Sequence, residues 1–390
     1  MHRVLMVNYE YPPLGGGTGI ACAQLLARLA GMRGIDIDLV TSTAEPEPSF
    51  HQLEANLRIH KLSIRKQEMH YWRSREIASW TWSAIRYADR LSRERRFDLA
   101  HCWGGWPAGL VGYRLRHRLP YIVSLRGSDV PGYNPRLHLL DPLLFRGVSR
   151  RVWRGAARVV AVSRNLRELA YETWPHAAIS VIPNGVNADL FTPGSIDTRG
   201  LLFVGRLIER KGVHTLIEAF AGLAARHPDL RLSIVGDGPQ RRALEAQAAK
   251  HFSPGQVIFH GRLDHSALAR IYQESSIFIL PAVSDAMPNV VLEAMAAGLA
   301  IVTTRTGAGE LIRDNGVVID RPEAPAIQEA IVRYLRAPAL LAARRKNSRF
   351  LAECMSWDRI AESVLTIYSE INGSALSSCT YVSPTSPPAI

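Results

Sequence analysis

The hydrophobic residues of the chain fall into short runs that are separated by segments of helix length. The first run, VLMV at residues 4–7, is followed by a Gly-rich loop and a helical pattern from about Thr18 to Met32. Runs that are apolar at every position are typical of parallel strands buried on both faces. The pattern therefore predicts a βα unit at the start of the chain.

The same alternation continues along the chain and restarts once. Four further runs precede residue 190, namely IDIDLVTS, FDLAHCW, PYIVSLRG and ARVVAVS. After a turn-rich stretch, a second series comprises LLFVG, RLSIVG, VIFHG, SIFILP and AIVTT. Strands that alternate with helices indicate doubly wound parallel sheets. We therefore predict two α/β domains.

The two series set the predicted domain boundaries. At 390 residues, the chain exceeds the roughly 250 to 300 residues at which a single core stops growing. We assign residues 1–190 to the first domain and 191–372 to the second. The last helix, about 356–372, can cross back to the first domain. The tail 373–390 is rich in Ser and Pro without periodicity, which predicts disorder.

Composition narrows the class of protein. Hydrophobic residues make up 47% and charged residues 21% of the chain, as in ordinary globular proteins. No apolar run reaches the roughly 18 residues that span a bilayer, and the first residues enter a strand rather than a signal peptide. We therefore expect a cytoplasmic protein. The four cysteines are scattered, so neither a metal site nor a disulfide framework is predicted.

The net charge of +12 favours an anionic partner, which can be phosphate, an acidic membrane or nucleic acid. Between Arg58 and Arg96 there are eleven Lys and Arg residues against four acids, with three tryptophans among them. Trp80 shares a three-or-four spacing with apolar residues, so that helix face should pack on its own domain. Trp82 and the arginines stay available for lipid headgroups, and residues 145–158 add a second basic stretch.

The loop YPPLGGGTG after the first strand is the first candidate for binding chemistry. It places Gly15, Gly16 and Gly17 ahead of a helix N-terminus, where backbone N–H groups and the helix dipole favour an anion. A phosphate or acceptor site and a tight strand-to-helix connection both fit this pattern. The dinucleotide fingerprint G-x-G-x-x-G is not met, because residue 20 is Ile, and NAD binding is disfavoured.

The second series carries basic and Gly-rich turns at its strand ends. GRLIERKG places Arg206 and Lys211 at the carboxyl end of a strand, the side on which open α/β sheets bind ligands. Two cations there could neutralise a diphosphate without a metal, and a solvated basic turn is the alternative. In the next turn, VGDGP, Gly236 and Gly238 let a ligand approach the backbone or form a plain turn.

Two acids eight residues apart follow the strand SIFILP. Asp285 lies in the loop, and Glu293 lies in the second turn of a helix that Asn289 can cap. Both carboxylates can then face a ligand over the helix N-terminus. Carboxylates accept hydrogen bonds from the vicinal hydroxyls of a ribose or hexose. The alternative is a helix cap with an unrelated surface acid.

Together these motifs resemble family 4 of the retaining glycosyltransferases, also called group 1, which has the GT-B fold. The resemblance covers nearly the whole chain. It is carried by the Gly-rich loop, PNGV at 183–186, GRLIERKG at 205–212, GDGP at 236–239 and LEAMAAG at 292–298. It implies two Rossmann-like, doubly wound α/β domains that face each other across a cleft. The C-terminal domain would hold the nucleotide sugar and the N-terminal domain the acceptor.

The resemblance also implies roles for individual residues. Arg206 and Lys211 would hold the donor diphosphate and, with Arg126 and Asp285, form the catalytic set. Glu293 would bind the ribose hydroxyls. The other donor-binding residues that the resemblance implies are Gly16, Gly17, Asn184, Gly205, Gly236, Gly238, Met287, Pro288, Asn289 and Val290.

The chain departs from the family pattern at two of these positions. Asp285 stands where the family normally has Glu, and Arg126 in LRGSDV stands where it commonly has His. An arginine that stays protonated cannot shuttle a proton as His does, although it donates hydrogen bonds to sugar or phosphate oxygens. Asp129 is expected to cap a helix or to pair with Arg126.

The expected activity is metal-independent transfer of a hexose from a UDP- or GDP-sugar, with retention of anomeric configuration. The acceptor is a glycan, a lipid-linked molecule or a small molecule, in cell-surface polysaccharide or glycoconjugate synthesis. Neither a cofactor nor a nucleic-acid partner is expected, and an anionic membrane surface is a further partner on the cytoplasmic face. The alternatives are a sugar-nucleotide epimerase or phosphorylase of the same fold, or a non-catalytic nucleotide-sugar binding protein.

Overall fold

A computed structural model describes most of the chain. The described residues are 1–66, 72–134, 145–194 and 200–373. The tail from residue 374 onward, for which the sequence predicts disorder, lies outside the described residues.

The chain divides into two compact units. The first comprises Met1–Asn184 together with the C-terminal segment that begins at Trp357, and the second comprises Gly185–Ser356. The division follows Asn184, whereas the hydrophobic pattern places the boundary at residue 190. The last helix of the chain is part of the first unit.

The first unit contains one mixed sheet that is almost entirely parallel. Its strands are β1 (His2–Val7), β2 (Ile35–Thr43), β3 (Ser49–Glu54), β4 (Leu57–Ser63), β5 (Leu99–Trp103), β6 (Tyr121–Leu125), β7 (Arg158–Ala161) and β8 (Ile179–Val181). They are arranged in the order β3-β4-β2-β1-β5-β6-β7-β8. Only the β3–β4 pair is antiparallel. The five predicted apolar runs of this half all form strands.

Helices connect the strands of the first unit. They are α1 (Gly17–Leu29), α2 (Ser74–Glu94), α3 (Ala108–Leu115), α4 (Arg146–Gly155) and α5 (Arg164–Thr173). In α2 the predicted face is buried, including Trp80 at 0% exposure, while Trp82 is 65% exposed. The three-or-four spacing of the apolar residues therefore determined which side of this helix packs on the sheet.

The second unit is a fully parallel sheet. Its strands are β9 (Gly200–Val204), β10 (Arg231–Val235), β11 (Val257–Gly261), β12 (Ile277–Leu280), β13 (Ala300–Thr304) and β14 (Gly316–Ile319). They are arranged in the order β11-β10-β9-β12-β13-β14, and every neighbouring pair is parallel. The chain thus adds strands on one side of β9 and then continues from β12 on the other side.

Seven helices of the described chain belong to the second unit. They are α6 (Val213–Ala224), α7 (Arg241–Ala249), α8 (His265–Gln273), α9 (Asn289–Ala296), α10 (Arg305–Ala308), α11 (Ala324–Arg336) and α12 (Pro338–Glu353). The predicted mixed α/β class with two parallel-sheet domains is confirmed.

The last helix, α13 (Trp357–Asn372), closes the core of the first unit. Its buried residues, among them Trp357 and Tyr368, belong to the same hydrophobic cluster as Val4 of β1 and Leu25 of α1. The apolar face of α13 thus covers the sheet beside α1. None of the helices in the described parts of the chain is long and apolar enough to cross a membrane.

Candidate functional site

The reversal of strand order between β9 and β12 creates the first candidate site. The chain continues from β9 to a strand on one side of this pair and from β12 to a strand on the other side. The loops that follow the two parallel strands therefore diverge, which leaves a crevice at the carboxyl ends of β9 and β12. The motif GRLIERKG follows β9, and the loop with Asp285 follows β12. The fold therefore brings together two motifs that are far apart in the sequence.

Lys211 and Asp285 form an ion pair in this crevice. Lys211 ends a short 3₁₀ turn, and its side chain is only 9% exposed. Burial lowers the pKa of Lys211, and the nearby Asp285 carboxylate opposes this shift. Asp285, which the sequence assigned to the catalytic set, is thus the counterion of Lys211. Nothing in the sequence indicates this pairing, which joins residues 74 positions apart.

The Lys211 turn depends on a glycine and on backbone hydrogen bonds. Gly212 has φ 69° and lies against the carbonyl of Pro281, where any Cβ would collide. Arg210 donates from Nη1 to the carbonyl of Ser284 at 2.7 Å, and its own carbonyl accepts from Val283 at 2.8 Å. Arg210 therefore ties the two loops together. Sequence analysis missed this role.

Arg206, the other predicted diphosphate ligand, is exposed at the start of the same loop. The electrostatic effect of Arg206 on Lys211 lowers the Lys211 pKa, so the two cations act on the same region. This arrangement suits a ligand with closely spaced negative charges, because each added anion relieves the repulsion between the cations.

The glycines of GDGP have a structural function. Gly236 has φ 129°, and a Cβ there would collide with the carbonyl of Gly205. A Cβ on Gly238 would likewise meet the carbonyl of Leu207. The Leu207 N–H donates to the carbonyl of Asp237 at 2.9 Å. Close packing of the loops after β9 and β10 thus explains these glycines, and their contact with a donor stays a prediction.

Glu293 lies in the second turn of α9, as predicted. The predicted cap by Asn289 is wrong, because Pro288 is the N-cap and Asn289 is the first residue inside the helix. The hydroxyl of Tyr272 lies 3.0 Å from Glu293 Oε2. Burial raises the pKa of Glu293 to about 7, and the Tyr272 hydrogen bond opposes part of this rise.

The remaining residues of this motif surround the start of α9. Met287 and Pro288 are buried, while Asn289 and Val290 are half-buried. Their proximity to the N-terminus of an eight-residue helix is compatible with the predicted contacts to a donor, which stay predictions.

The Gly-rich loop of the first unit contains a carboxylate that the sequence did not indicate. The Gly16 N–H donates to Glu10 Oε2 at 3.2 Å, and a Cβ on Gly15, with φ 93°, would meet the Glu10 side chain at 2.7 Å. A Cβ on Gly16 would meet nothing within 4 Å. Gly16 is the N-cap and Gly17 the first residue of α1. Close packing thus explains Gly15, while space next to Gly16 remains open.

Arg126 follows β6 in the first unit. Its guanidinium lies 4.2 Å from the centre of the Trp103 ring and donates a hydrogen bond to Oδ1 of Asn184. The structure thus brings together two predicted site residues, Arg126 and Asn184. Burial lowers the pKa of Arg126 to about 10, so the guanidinium stays protonated at neutral pH.

Asp129 has a different role from the two that the sequence suggested. Its carboxylate accepts backbone N–H bonds from Gly105 at 2.6 Å, Arg126 at 2.9 Å and Gly127 at 2.7 Å. Among the described residues, its carboxylate is thus held by these backbone N–H groups and not by a helix N-terminus or the Arg126 guanidinium. Asp129 instead holds the loop after β6 against the loop after β5.

A buried histidine lies beside Arg126. The Nδ1 atom of His101 is 2.7 Å from the Tyr368 hydroxyl, and its Nε2 atom is 2.7 Å from the Ser124 hydroxyl. Burial, and then the charge of Arg126, lower the pKa of His101 to about 3, so the ring is neutral at physiological pH. A single His in an apolar strand gives no signal, so sequence analysis could not find this network.

The comparisons with known proteins define the class. The family model described as "Glycosyl transferases group 1" matches residues 195–351, and the one described as "Glycosyltransferase Family 4" matches residues 15–190. The two matches together cover most of the chain, with α13 of the first unit outside them. The chain belongs to the group 1 glycosyltransferases, as the resemblance of its motifs implied.

Individual relatives agree with this assignment. An uncharacterized glycosyltransferase of Methanocaldococcus jannaschii is 26% identical over 376 residues, which cover 95% of this chain and 99% of the relative. The structure of sucrose-phosphate synthase from Thermosynechococcus elongatus has a TM-score of 0.81 at 22% identity, covering 96% of this chain and 100% of that one. Anabaena HepE, solved with UDP and glucose, has a TM-score of 0.72 at 17% identity, covering 95% and 100%. The fold is GT-B.

Proposed function

We propose that this glycosyltransferase takes its sugar from a UDP- or GDP-sugar and transfers it with retention of anomeric configuration. The acceptor is a glycan, a lipid-linked molecule or a small molecule, and the pathway is polysaccharide or glycoconjugate synthesis. The observation that carries the proposal is the buried Lys211–Asp285 pair at the strand-order reversal of the second unit.

The cations of this site support diphosphate binding. Lys211 is held by Asp285 and cannot turn into solvent, and Arg206 follows the end of β9. The single carboxylate of Asp285 neutralises only part of the positive charge of Arg206 and Lys211. A bound diphosphate supplies the remaining negative charge. Arg206 offers a planar fork of donors and Lys211 a compact charge, a combination that suits phosphate oxygens. The solved complex of Anabaena HepE with UDP and glucose has the same fold and supports a nucleotide donor.

Glu293 is the proposed ligand of the ribose hydroxyls. Its carboxylate is held by Tyr272 and lies one turn inside the helix that follows the Asp285 loop. In its ionised form it accepts two hydrogen bonds from a vicinal diol. Oxygen atoms of the donor then reach the backbone N–H groups at the start of α9.

The proposed reaction needs no metal ion. The bond between the anomeric carbon and the phosphate oxygen breaks, and the acceptor oxygen bonds to the same face of the anomeric carbon. The acceptor proton passes to an oxygen of the departing phosphate. Arg206 and Lys211 stabilise the negative charge that develops on the diphosphate, and this electrostatic effect is the main catalytic contribution of the side chains.

We also propose that the outer face of α2 contacts an anionic membrane on the cytoplasmic side. Arg75, Trp82, Arg86 and Arg93 are exposed and lie on one stripe of the helix. A tryptophan ring among arginines suits the boundary between acyl chains and acidic headgroups.

Ligand screening by thermal unfolding tests the donor. A ligand at 100 times its dissociation constant stabilises the folded chain by roughly 2.7 kcal/mol. We expect UDP, GDP or one of their sugars to raise Tm with EDTA present, and Lys211→Ala and Glu293→Ala to remove most of this shift. Product analysis by NMR then gives the anomeric configuration. Absence of a shift with every nucleotide would reject the donor proposal, and an inverted product would reject retention.

A further inference from the structure

The Asp285 loop, residues 281–285, is held by side chains from other segments of the second unit. It begins after Leu280 at the end of β12 and carries the carboxylate that pairs with Lys211. Four of the five carbonyl groups from Leu280 to Ser284 accept a hydrogen bond from such a side chain. The donors are Thr303 for Leu280, Thr304 for Ala282, Thr306 for Val283 and Arg210 for Ser284. Loops are usually the more mobile parts of a fold, so this one is restrained to an unusual degree.

Three of the four donors are threonines that lie close together in the chain. Thr303 and Thr304 end β13 and are buried, at 0% and 1% exposure. Thr306 lies in α10 and is exposed. Its hydroxyl donates to the carbonyl of Val283 at 2.6 Å, and its own carbonyl accepts from the N–H of Asp285 at 2.9 Å. Thr306 therefore holds the loop through two hydrogen bonds, one of them to Asp285 itself.

The glycine that follows Thr306 leaves room for the buried hydroxyls. A Cβ on Gly307 would lie 2.6 Å from the hydroxyl oxygen of Thr304 and 2.9 Å from that of Thr303. Both distances are too short for a Cβ atom, so a side chain here would displace the hydroxyls from the carbonyls that they bind. The residues TTRTG at 303–307 thus act together on the neighbouring loop.

The turn that carries Lys211 holds the same loop from the other side. Arg210 donates to the carbonyl of Ser284 at 2.7 Å, and its own carbonyl accepts from the N–H of Val283 at 2.8 Å. The strands β9, β12 and β13 are neighbours in this order. The loop after β12 is therefore bonded to the segment after β9 on one side and to the segment after β13 on the other.

We propose that Thr306 is a positioning residue of the donor site, which acts through Asp285 and not by contact with the donor. Its two hydrogen bonds keep the Asp285 carboxylate beside the Lys211 ammonium group. A charge pair that is already in place needs no reorganisation when a diphosphate binds. The proposal rests on the proposed function for the identity of the ligand, whereas the hold on the loop is independent of any ligand.

The position of Asp285 affects the titration of Lys211. Burial lowers the pKa of the Lys211 ammonium group, the Asp285 carboxylate opposes this shift, and Arg210 and Arg206 lower the pKa further. In a loosened loop the carboxylate spends less time beside the ammonium group, so the pKa of Lys211 falls. The upper pH limit of diphosphate binding falls with it.

An NMR titration of the full chain without nucleotide tests the positioning. The chain has five lysines, so isotope-labelled lysine gives few side-chain signals, and Lys211→Arg identifies the signal of Lys211. Thr306→Val removes the hydroxyl and keeps the β-branched shape. We expect the pKa of Lys211 to fall in Thr306→Val and to return to its wild-type value in Thr306→Ser, which keeps the hydroxyl. Because Thr306 is exposed, Tm should change little.

Calorimetric titration with UDP and with GDP measures the consequence for donor binding. Thr306→Val should weaken the nucleotide that wild type binds by about fivefold, the factor that corresponds to one typical net hydrogen bond. In the Asp285→Asn background the same substitution should have no further effect, because the carboxylate that Thr306 positions is absent.

Thr366→Val is the matched control for both measurements. It removes a threonine hydroxyl that also donates to a backbone carbonyl, that of Glu362 at 2.9 Å, on α13 of the other unit. Neither the pKa of Lys211 nor the affinity for nucleotide should change in this variant.

The proposal is overturned if the pKa of Lys211 is the same in wild type and folded Thr306→Val, or if Thr306→Ser does not restore it. An equal loss of affinity with and without Asp285 also overturns it, because Thr306 would then act apart from the carboxylate. If neither UDP nor GDP binds wild type, the donor proposal fails, while a lower pKa of Lys211 in Thr306→Val still supports the positioning.

Discussion

At the scale of single residues, the donor site depends on pairs rather than on isolated charges. Lys211 and Asp285 are both largely buried, with side-chain exposures of 9% and 14%. A buried ammonium group needs a counterion. The side chain of Asp285 is one methylene shorter than that of Glu, yet its carboxylate still reaches the Lys211 ammonium group. The departure of Asp285 from the family pattern is therefore compatible with a functional site.

Removal of the counterion should change how donor binding depends on pH. In Asp285→Asn, burial still lowers the pKa of Lys211, but the opposing attraction is lost, so this pKa falls further. Diphosphate binding requires protonated Lys211. As the pH is raised, binding should therefore be lost at a lower pH in Asp285→Asn than in wild type. Stability should fall by about 3 kcal/mol, as is usual for a broken buried pair.

Titration calorimetry with the donor between pH 7 and pH 10 measures this shift. Asp320→Asn is the control, because the Asp320 side chain is 84% exposed in a surface ion pair. An identical pH midpoint in wild type and Asp285→Asn would show that Lys211 does not bind the diphosphate in its charged form.

Glu293 should give a second pH dependence, at lower pH. Its pKa of about 7 means that the carboxylate predominates only above neutrality. If ribose hydroxyls donate to this carboxylate, affinity for the intact nucleotide sugar should rise between pH 6 and pH 8. Glu293→Gln should show no such rise. Tyr272→Phe removes a hydrogen bond that lowers the pKa of Glu293, so its midpoint should move to higher pH. Equal pH profiles in wild type and Glu293→Gln would contradict this role.

At the scale of elements, glycines in similar motifs perform different tasks. Gly236 is fixed by backbone packing against Gly205, whereas Gly16 borders open space at the N-terminus of α1. Sequence alone treats both as places where a ligand approaches the backbone. The structure separates them by what a Cβ would meet.

This difference predicts opposite outcomes for two alanine substitutions. Gly236→Ala should lower the free energy of unfolding by about 3 kcal/mol, because it combines a positive φ with a steric collision. Gly16→Ala should change stability by less than about 1 kcal/mol. If a ligand approaches Gly16 closely, this second variant loses affinity in a calorimetric titration while its Tm is unchanged. Unchanged affinity would remove Gly16 from the binding site.

The outer face of α2 allows a test at the level of the helix. Trp82→Ala combined with Arg86→Gln should reduce co-sedimentation with vesicles containing phosphatidylserine by about tenfold, because both the interfacial ring and a charge are lost. Phe350→Ala is the matched control, since Phe350 is 64% exposed on α12 of the other unit. Equal sedimentation of both variants and wild type would reject α2 as the membrane contact.

At the scale of the whole molecule, the first unit is built from both ends of the sequence. The helix α13 supplies several residues, among them Trp357, Ile360 and Tyr368, to a core whose members outside α13 all precede residue 185. The first unit is therefore complete only after the second unit has been synthesised.

Truncation tests this dependence. A chain of residues 1–356 should lose the cooperative unfolding transition of the first unit, because the apolar surface beneath α13 becomes exposed. A peptide of residues 356–373 added in trans should restore part of the signal in near-UV circular dichroism. Trp357→Ala in the full chain should cost about 3 to 5 kcal/mol. A fragment 1–356 that melts like the full chain would contradict the role of α13.

The pattern of the sequence predicted much of the fold. Every apolar run singled out in either half forms a strand, because a strand buried on both faces excludes polar residues locally. The runs did not reveal β3 or β4, where polar and apolar residues mix at the edge of the sheet, nor the short strands β8 and β14. The motifs also placed Lys211, Glu293 and the Gly-rich loop next to strand ends, because a turn, like a buried strand, is recognised from residues that are close together in the sequence.

By itself, the sequence determined the α/β alternation, the two sheets and the residues available at the strand ends, since these follow from neighbours within a few positions. Tertiary structure decided which of them meet. The reversal of strand order pairs Lys211 with Asp285, and the return of α13 completes the core of the first unit. These contacts join positions far apart in the chain, and they form because apolar surfaces must be covered in three dimensions.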